Sequence, residues 1–377
     1  MARKRGNNEG TIFKRADGRY EARISLPNGK RKSFYGETRQ EASDKLNDAL
    51  QNQRRGLVPM DNRQTIQQFL KFWIEVKTHK LRESTIIRYQ AHIKHLNDGI
   101  GGVVLSKLTP QKLQVFYNKV IEDGLSPGEV HDMHAVLKSA LDYAVEMEHI
   151  HANPARKARA TSKPRHEMAT LNEEQVKIFL DQIRGHRLEA LFILAVTTGM
   201  RKGELLALHW KEVDFSKKKL SVRYNLQMVT RERGNYRISD TKTSYSRRTI
   251  ALTATAMRAL QERRKAHDEE LARNGADWNK EGLVFPRLDG QWMYPSTLRR
   301  THFHPLMRKA GLPLIRFHDL RHTAATLLLG HGVNPKIVSE MLGHSSVSIT
   351  LDIYSHVMPH MQQIAVETME GIFAENP

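Results

Sequence analysis

Between residues 62 and 153 the chain reads as one helix after another, and this stretch decides where domains can begin and end. Thr65 stands where a side chain caps a helix running to Val76. Ser84 and Thr85 precede a second helix, with Ile87, Tyr89 and Ile93 among its apolar positions. Thr109-Pro110 is an N-cap followed by proline at the first helical position, where an absent N–H leaves nothing unpaired, and Gly124 stops that helix. Ser126-Pro127-Gly128-Glu129 repeats the start signal with capping-box spacing. Val130, Met133, Leu137, Leu141, Ala144 and Val145 then form an apolar stripe, ended by Asn153-Pro154.

The segments on either side follow different rules. Gly10 to Lys14, Tyr20 to Leu26 and Lys32 to Tyr35 are short strand-like runs, separated by the turn signals Asp17-Gly18 and Pro27-Asn28-Gly29. A helix from Arg39 to Arg54 follows, with Ala42, Leu46, Ala49 and Leu50 on one face. Past the helical stretch, residues 155–169 form a short basic linker, and Thr170 with Glu173 makes a capping box that opens the last domain. Helices are expected near 172–184, 187–198 and 203–209. Strands are expected at Lys219 to Thr230, Tyr236 to Ser239 and Arg248 to Leu252, the first two joined by a turn at Arg233-Gly234-Asn235. From Thr255 the chain reads as mostly helical, with a loop at 274–294, and it ends in an amphipathic helix over residues 361–373. The expected fold is α+β and multidomain. Residues 1–60 hold a three-stranded sheet plus helix, structured at 10–57. Residues 61–154 are all-α, and residues 170–377 are mainly α with a small β-sheet.

Lys plus Arg number 60 against 41 Asp plus Glu, a formal net charge of +19. Each segment is basic, at +7 for residues 1–60, +4 for 61–168 and +8 for 169–377, so contact with a polyanion along the whole chain fits better than a single basic tail. Arg19, Arg23, Lys30, Arg31 and Lys32 are expected to line one face of the N-terminal sheet. Arg156, Lys157, Arg159, Lys163 and Arg165 in the linker are expected to lie along a phosphate backbone. No run approaches the roughly 18 apolar residues of a membrane span, and the start, Met-Ala-Arg-Lys-Arg-Gly, has no apolar signal core. Cysteine is absent, which excludes disulfides, thiolate zinc sites and cysteine nucleophiles and fits a reducing cytoplasm.

Five short motifs carry chemistry. In order they are Thr198-Gly199-Met200-Arg201-Lys202-Gly203-Glu204, Thr241-Lys242-Thr243, His318-Asp319-Leu320-Arg321-His322, Leu342-Gly343-His344 and Tyr354-Ser355-His356. Arginine forks grip the non-bridging oxygens of a phosphate. A tyrosine can form a covalent phosphoester, and lysine and histidine can move protons. This is a set for phosphodiester chemistry with neither metal nor cofactor. His318 and His322 have the i, i+4 spacing of a zinc helix, but no glutamate follows the first histidine and no acid ligand lies downstream, so no metal is expected.

In this order and spacing the motifs resemble the tyrosine recombinase (phage integrase) family, and the resemblance runs from the N-terminal arm to the tail after Tyr354. It implies that Arg201 and Arg321 hold the scissile phosphate, supported by Glu204, that His318 accepts a proton or contacts the phosphate, and that His344 donates a hydrogen bond. It implies that Lys242, on a β-hairpin, protonates the leaving 5′ oxygen and that Tyr354 is the nucleophile. It also implies an arm-site DNA-binding domain, a core-binding domain and a catalytic domain, acting as a homotetramer on double-stranded DNA attachment sites at the nucleoid. An excisionase and a host DNA-bending protein would be accessory partners. The tail helix folds on its own core or docks on a neighbouring protomer. Two alternatives stay open: a type IB-like topoisomerase, and a catalytically inactive DNA-binding regulator.

Overall fold

The computed structural model describes residues 10–25, 31–54, 63–79, 81–162, 168–228, 236–240, 247–355 and 361–373. The chain divides into two compact units, residues 1–165 and 166–377.

In the first unit, β1 (Thr11–Lys14), β2 (Tyr20–Ser25) and β3 (Arg31–Gly36) form an antiparallel sheet in that order, and α1 (Arg39–Arg54) covers one face. Ala22 and Ile24 of β2 point at Ala42 and Leu46 of α1, which makes a core of only a few side chains. Strand alternation therefore places Glu21 and Arg23 on the other face. The expected basic face is corrected by the same rule. Arg31 pairs with Ser25 and shares a face with Arg23, but Lys32 pairs with Ile24 and belongs to the helix side. Arg19 sits at the turn and is tied to Asp17 at 2.9 Å, while Lys30 lies outside the described residues.

The same unit carries α2 (Ile66–Thr78), α3 (Glu83–Ile100), α4 (Pro110–Glu122) and α5 (Pro127–Glu146). Their shared core includes Phe69, Trp73, Leu96, Leu113, Tyr117, Met133, Leu137 and Leu141. Three starts are capped by Thr65, Thr109 and Ser126, and Thr65 and Ser126 form capping boxes with Gln68 and Glu129. The start of α3 differs from expectation: it begins at Glu83, after Arg82, without a side-chain cap. The linker is also shorter than its sequence suggests. Pro154–Arg156 is a 3-10 turn, and Ala155 and Ala158 are buried in the helical core, so apolar alanines hold its first residues on the bundle. Gly99 on α3 lets α4 approach, because a Cβ there would lie 2.1 Å from the ring of the buried Phe116.

The second unit is built around α7 (Glu189–Thr198), whose residues Ala190 to Val196 are all buried, so that it is packed on every side. It follows α6 (Glu173–Gln182), whose capping box is Asn172 with Gln175 in place of the expected Thr170 with Glu173. The short α8 (Lys202–Leu206) ends before 209, because His209 leaves the helix to bridge Leu283. The single strand expected from Lys219 breaks at Arg223. β5 (Lys219–Val222) joins a sheet ordered β4-β5-β8, with β4 at Val213–Asp214 and β8 at Arg248–Ala251, whereas β6 (Tyr224–Met228) pairs with β7 (Tyr236–Asp240) in a ribbon. Residues 233–235, expected as a turn, lie outside the described set. Beyond α9 (Ala254–Asn274), α10 (Pro295–Thr297) runs through a π-helical stretch, Leu298–Phe303, into α11 (His304–Lys309). Then come α12 (Asp319–Gly330), α13 (Pro335–Leu342), α14 (Val347–Tyr354) and α15 (Met361–Phe373). Helix α12 packs on α7, while α13 packs on α12, α14 and β8. On α15, Met369, Ile372 and Phe373 are exposed. Among the described residues no helix is long and apolar enough to cross a membrane.

Gly99→Ala separates packing from helix propensity. Alanine is the better helix former by about 1 kcal/mol, but the clash with Phe116 should cost about 1–3 kcal/mol. Urea denaturation is expected to show a net loss of stability. A gain would mean that the α3–α4 contact is loose.

Candidate active site

The site forms where α7, α8, α12, α13 and β8 meet. Helix α13 ends with Gly343 in the left-handed conformation, φ +72°, which exposes its last carbonyls. Each of three successive carbonyls accepts from a different arginine. Arg248 Nε donates to Met341 O at 2.6 Å, Arg321 Nη1 to Leu342 O at 2.7 Å, and Arg201 Nη2 to Gly343 O at 3.1 Å. Orphan carbonyls at a helix C-terminus carry partial negative charge, so guanidinium groups suit them. Arg321 Nη1 also donates to Gly199 O at 2.8 Å, at the end of α7. Gly199 is itself left-handed, φ +61°, and a Cβ there would lie 2.4 Å from Leu342 Cδ2, so glycine lets the two helix ends touch.

Glu204 ties the arginines from the other side. It is 3 % exposed and accepts from Arg201 Nη1 at 2.8 Å and from Arg248 at 3.2 and 2.9 Å, and one of its oxygens also takes the Arg201 N–H at 2.9 Å. Burial alone would raise its carboxyl, but Arg248 and then Arg201 outweigh burial and hold it below the usual carboxylate range. One carboxylate thus faces three cations. Arg321, 3 % exposed, is the least neutralised. Its Nη2 has no hydrogen-bond partner among the described residues. Burial, then Arg201 and Arg248, lowers its pKa to about 9, so it stays a cation at neutral pH beside like charges. A buried guanidinium edge without a partner among the described residues, next to the half-exposed Arg201, suits an anion.

Histidines line the same site. His318 precedes α12, one turn from Arg321. It is exposed to solvent, but loss of hydration against the surrounding protein, then His322, Arg321 and Arg201, lowers it to about 4. His344 follows Gly343, and its Nδ1 is hydrogen-bonded to the Thr350 hydroxyl at 2.8 Å. Burial, then Arg321 and Arg201, again takes it to about 4. Both are neutral at pH 7 in the free chain. Tyr354 ends α14 with its ring 1 % exposed among Ala325, Leu329, Val338 and Leu342. Burial pushes its hydroxyl up to about 12, and that hydroxyl is hydrogen-bonded to His322 Nδ1 at 2.6 Å.

Of the residues expected from sequence, Arg201, Glu204, His318, Arg321, His344 and Tyr354 fall in this one region. Lys242 lies outside the described residues, as do Lys163 and Arg165. Arg156 is paired with Asp142 at 2.8 Å. The Arg159 backbone N–H donates to Gln114, and Lys157 stands at the end of the 3-10 turn, so these three begin as part of the helical bundle. Arg248 was not singled out from sequence. Its signal was a charge two residues before Ile250, on the inward face of a strand. His322, which reads from sequence as a packing or phosphate-contacting residue, instead meets the Tyr354 hydroxyl, and Thr350 was passed over. Among the described residues no group of three or more His, Asp or Glu is placed to hold a metal ion.

Comparison with known proteins places the chain in a family. Residues 169–361 match the phage integrase family, and residues 65–121 match the phage integrase N-terminal SAM-like domain. A XerC-like tyrosine recombinase of Caldanaerobacter subterraneus subsp. tengcongensis is 34 % identical over 366 residues, covering 92 % of this chain and 93 % of the relative. The integrase of transposon Tn1549, solved with a circular intermediate DNA, superposes with a TM-score of 0.70 at 21 % identity, over 81 % of this chain and 99 % of that one. A lambda integrase tetramer bound to a Holliday junction gives 0.58 at 19 % identity, over 93 % and 96 %. The chain belongs to the phage integrase family of tyrosine recombinases. It is a site-specific enzyme of the phage and mobile-element type that cuts and rejoins DNA.

Glu204→Ala leaves Arg248, whose side chain is 7 % exposed, without its carboxylate. Breaking a buried ion pair from one side costs about 3–5 kcal/mol. Chemical denaturation is expected to show a loss of that order, and a loss below about 1 kcal/mol would mean that the helix-end carbonyls alone hold the arginines.

Proposed function

We propose that the arginine cluster binds the scissile phosphate of a DNA attachment site and that Tyr354 attacks it. The observation that carries this reading is the buried Nη2 edge of Arg321, without a hydrogen-bond partner among the described residues, beside Arg201. Arg321 and Arg201 each take a non-bridging oxygen and offset the extra negative charge of the phosphorane-like transition state, and an aligned donor of this kind is worth about 10²–10³ in rate. With Nδ1 engaged by Thr350, His344 presents Nε2 as the atom that donates to a phosphate oxygen. A bond forms between Tyr354 Oη and phosphorus while the bond to the 5′ oxygen breaks. His318 accepts the phenolic proton, and Lys242 protonates the leaving oxygen. The 3′-phosphotyrosine conserves the diester energy, so religation uses neither metal nor nucleotide cofactor. Exchange of strands between two sites gives a Holliday junction, and a second round resolves it.

The assembly is read as a homotetramer on DNA, and the exposed apolar residues of α15 suit docking on a neighbouring protomer. The N-terminal sheet is read as the arm-site module. On its open face Arg23 is held by Glu21 at 2.7 Å and lies over the Phe13 ring at 4.8 Å, a rigid cation on the face away from α1. An excisionase and a host DNA-bending protein would set the direction of recombination at the nucleoid.

Two measurements test this reading. Tyr354→Phe should bind a core duplex as tightly as the natural protein and form no SDS-resistant adduct, and an adduct that persists removes Tyr354 from its role. A substrate with sulfur at the 5′-bridging position should restore cleavage to Lys242→Ala, because a thiolate leaves without a proton, and should rescue Arg201→Ala far less. Equal rescue contradicts the division of labour between the two.

A further inference from the structure

The chain that carries Lys242 enters residues 241–246 from Asp240, the last residue of β7, and leaves them at Arg247, next to Arg248 at the start of β8. Asp240 faces Tyr224 across the β6–β7 ribbon, and Arg248 faces Val222 in the β4-β5-β8 sheet, so the two ends stand where the sheets divide. Two ties hold them. The outer tie is the ion pair of Arg247 with Asp240 at 2.7 Å, with both side chains more than half exposed, and an exposed pair contributes little. The inner tie is Arg248, whose side chain is 7 % exposed. It donates through Nε to Met341 O at 2.6 Å and through Nη1 and Nη2 to the two Glu204 oxygens at 3.2 and 2.9 Å. A planar guanidinium bonded along two edges holds one orientation, which an ammonium on a flexible stem does not reproduce. Arg201 uses the same two anchors, Glu204 at 2.8 Å and the end of α13 through Gly343 O at 3.1 Å. A phosphate-gripping arginine and the first residue of β8 are therefore set against one carboxylate and one helix end.

We propose that Arg248 is the positioning residue of the general acid: bonded to both anchors of Arg201, it fixes the start of β8, and with it the exit of the chain that carries Lys242, relative to the scissile phosphate. This rests on the reading of Lys242 as general acid. The ammonium of Lys242 gives its proton to the 5′ oxygen as the bond from that oxygen to phosphorus breaks, and Arg248 takes no part in the transfer itself. A catalytic group displaced by about 1 Å loses about 10²-fold in rate, so a rigid tie at the base of the segment reaches the chemistry.

The test uses the full chain and single-turnover adduct formation on a core duplex with oxygen or sulfur at the 5′-bridging position. Arg248→Lys keeps a cation for Glu204 but loses the fork that also reaches Met341 O, and Arg248→Gln removes the charge. On the oxygen substrate both should form adduct about 10²-fold more slowly than the natural protein. On the sulfur substrate, where the thiolate leaves without a proton, both should return to within about 3-fold of the natural rate. Arg201→Ala should stay slow on both substrates. Arg248→Lys combined with Lys242→Ala should be no slower than Lys242→Ala alone, because two residues that act through one proton do not add. Asp240→Asn, which cuts only the outer tie, should lie within about 3-fold of the natural rate, and a loss equal to that of Arg248→Lys would contradict the part given to the inner tie. Slow cleavage of the sulfur substrate by the Arg248 variants, or losses that multiply in the double variant, would mean that Arg248 serves the phosphate site and overturns the proposal. Loss of core-duplex binding by both variants overturns it too, since Arg248 would then support the fold. Failure of sulfur to rescue Lys242→Ala removes the reading of Lys242 and the part of Arg248 with it, whereas rescue of Lys242→Ala without rescue of the Arg248 variants removes the part of Arg248 alone.

Discussion

The carbonyls of Met341 and Leu342 at the end of α13, with that of the Gly343 cap, are the constraint on which the site depends. Met341, Leu342 and Gly343 each receive one arginine, from β8, α12 and the start of α8 respectively. A helix terminus ordinarily gives its orphan carbonyls to water or to a following glycine turn. Here the left-handed Gly343 turns the chain away and leaves them to guanidinium groups. Three segments far apart in sequence are thereby fixed to one another through a single helix end. The left-handed Gly199 does the same service at the end of α7, where its missing Cβ lets Leu342 pack close and its carbonyl takes a second bond from Arg321.

Charge balance follows from this geometry. Among the described residues Glu204 is the carboxylate bonded to both Arg201 and Arg248, and Arg321 donates to the carbonyls of Gly199 and Leu342. The cluster is left with excess positive charge in a partly desolvated pocket, where electrostatic interactions are stronger than in water. Burial first, and then the same excess charge, keeps His318 and His344 neutral. The protein carries this cost in its free form, and an anionic diester seated there, as proposed, would relieve it.

Much of the fold was legible before the structure. Thr65, Thr109-Pro110 and Ser126 to Glu129 announced helix starts because capping is local chemistry, and the motifs around Arg201, Arg321, His344 and Tyr354 pointed to one site. What was missed depended on partners distant in sequence. Arg248 reads as a surface residue of a short strand until Glu204 and Met341 are placed beside it. His322 reads as a neighbour of Arg321 until α14 brings Tyr354 back to it. The break between β5 and β6 and the π-helical stretch at Leu298–Phe303 follow from tertiary pairing, which local propensity does not encode. The basic face of the N-terminal sheet was misjudged at Lys32 because register, set by the pairing with Ile24, decides which way a strand residue points.

The central claim, that the excess charge of the arginine cluster is matched by the scissile phosphate, is tested most directly by the titration of His344. In the free chain His344 and His318 are held to about 4. An anion seated between Arg201 and Arg321 favours the protonated imidazole and must raise both. Nitrogen-15 histidine spectra of the Tyr354→Phe protein, recorded against pH with and without a core-site duplex and assigned with His344→Gln, follow this without strand cleavage. The account predicts a rise of His344 by more than one pH unit on binding DNA. A His344 titration that stays near 4 in the complex would contradict it, since the phosphate would then lie elsewhere.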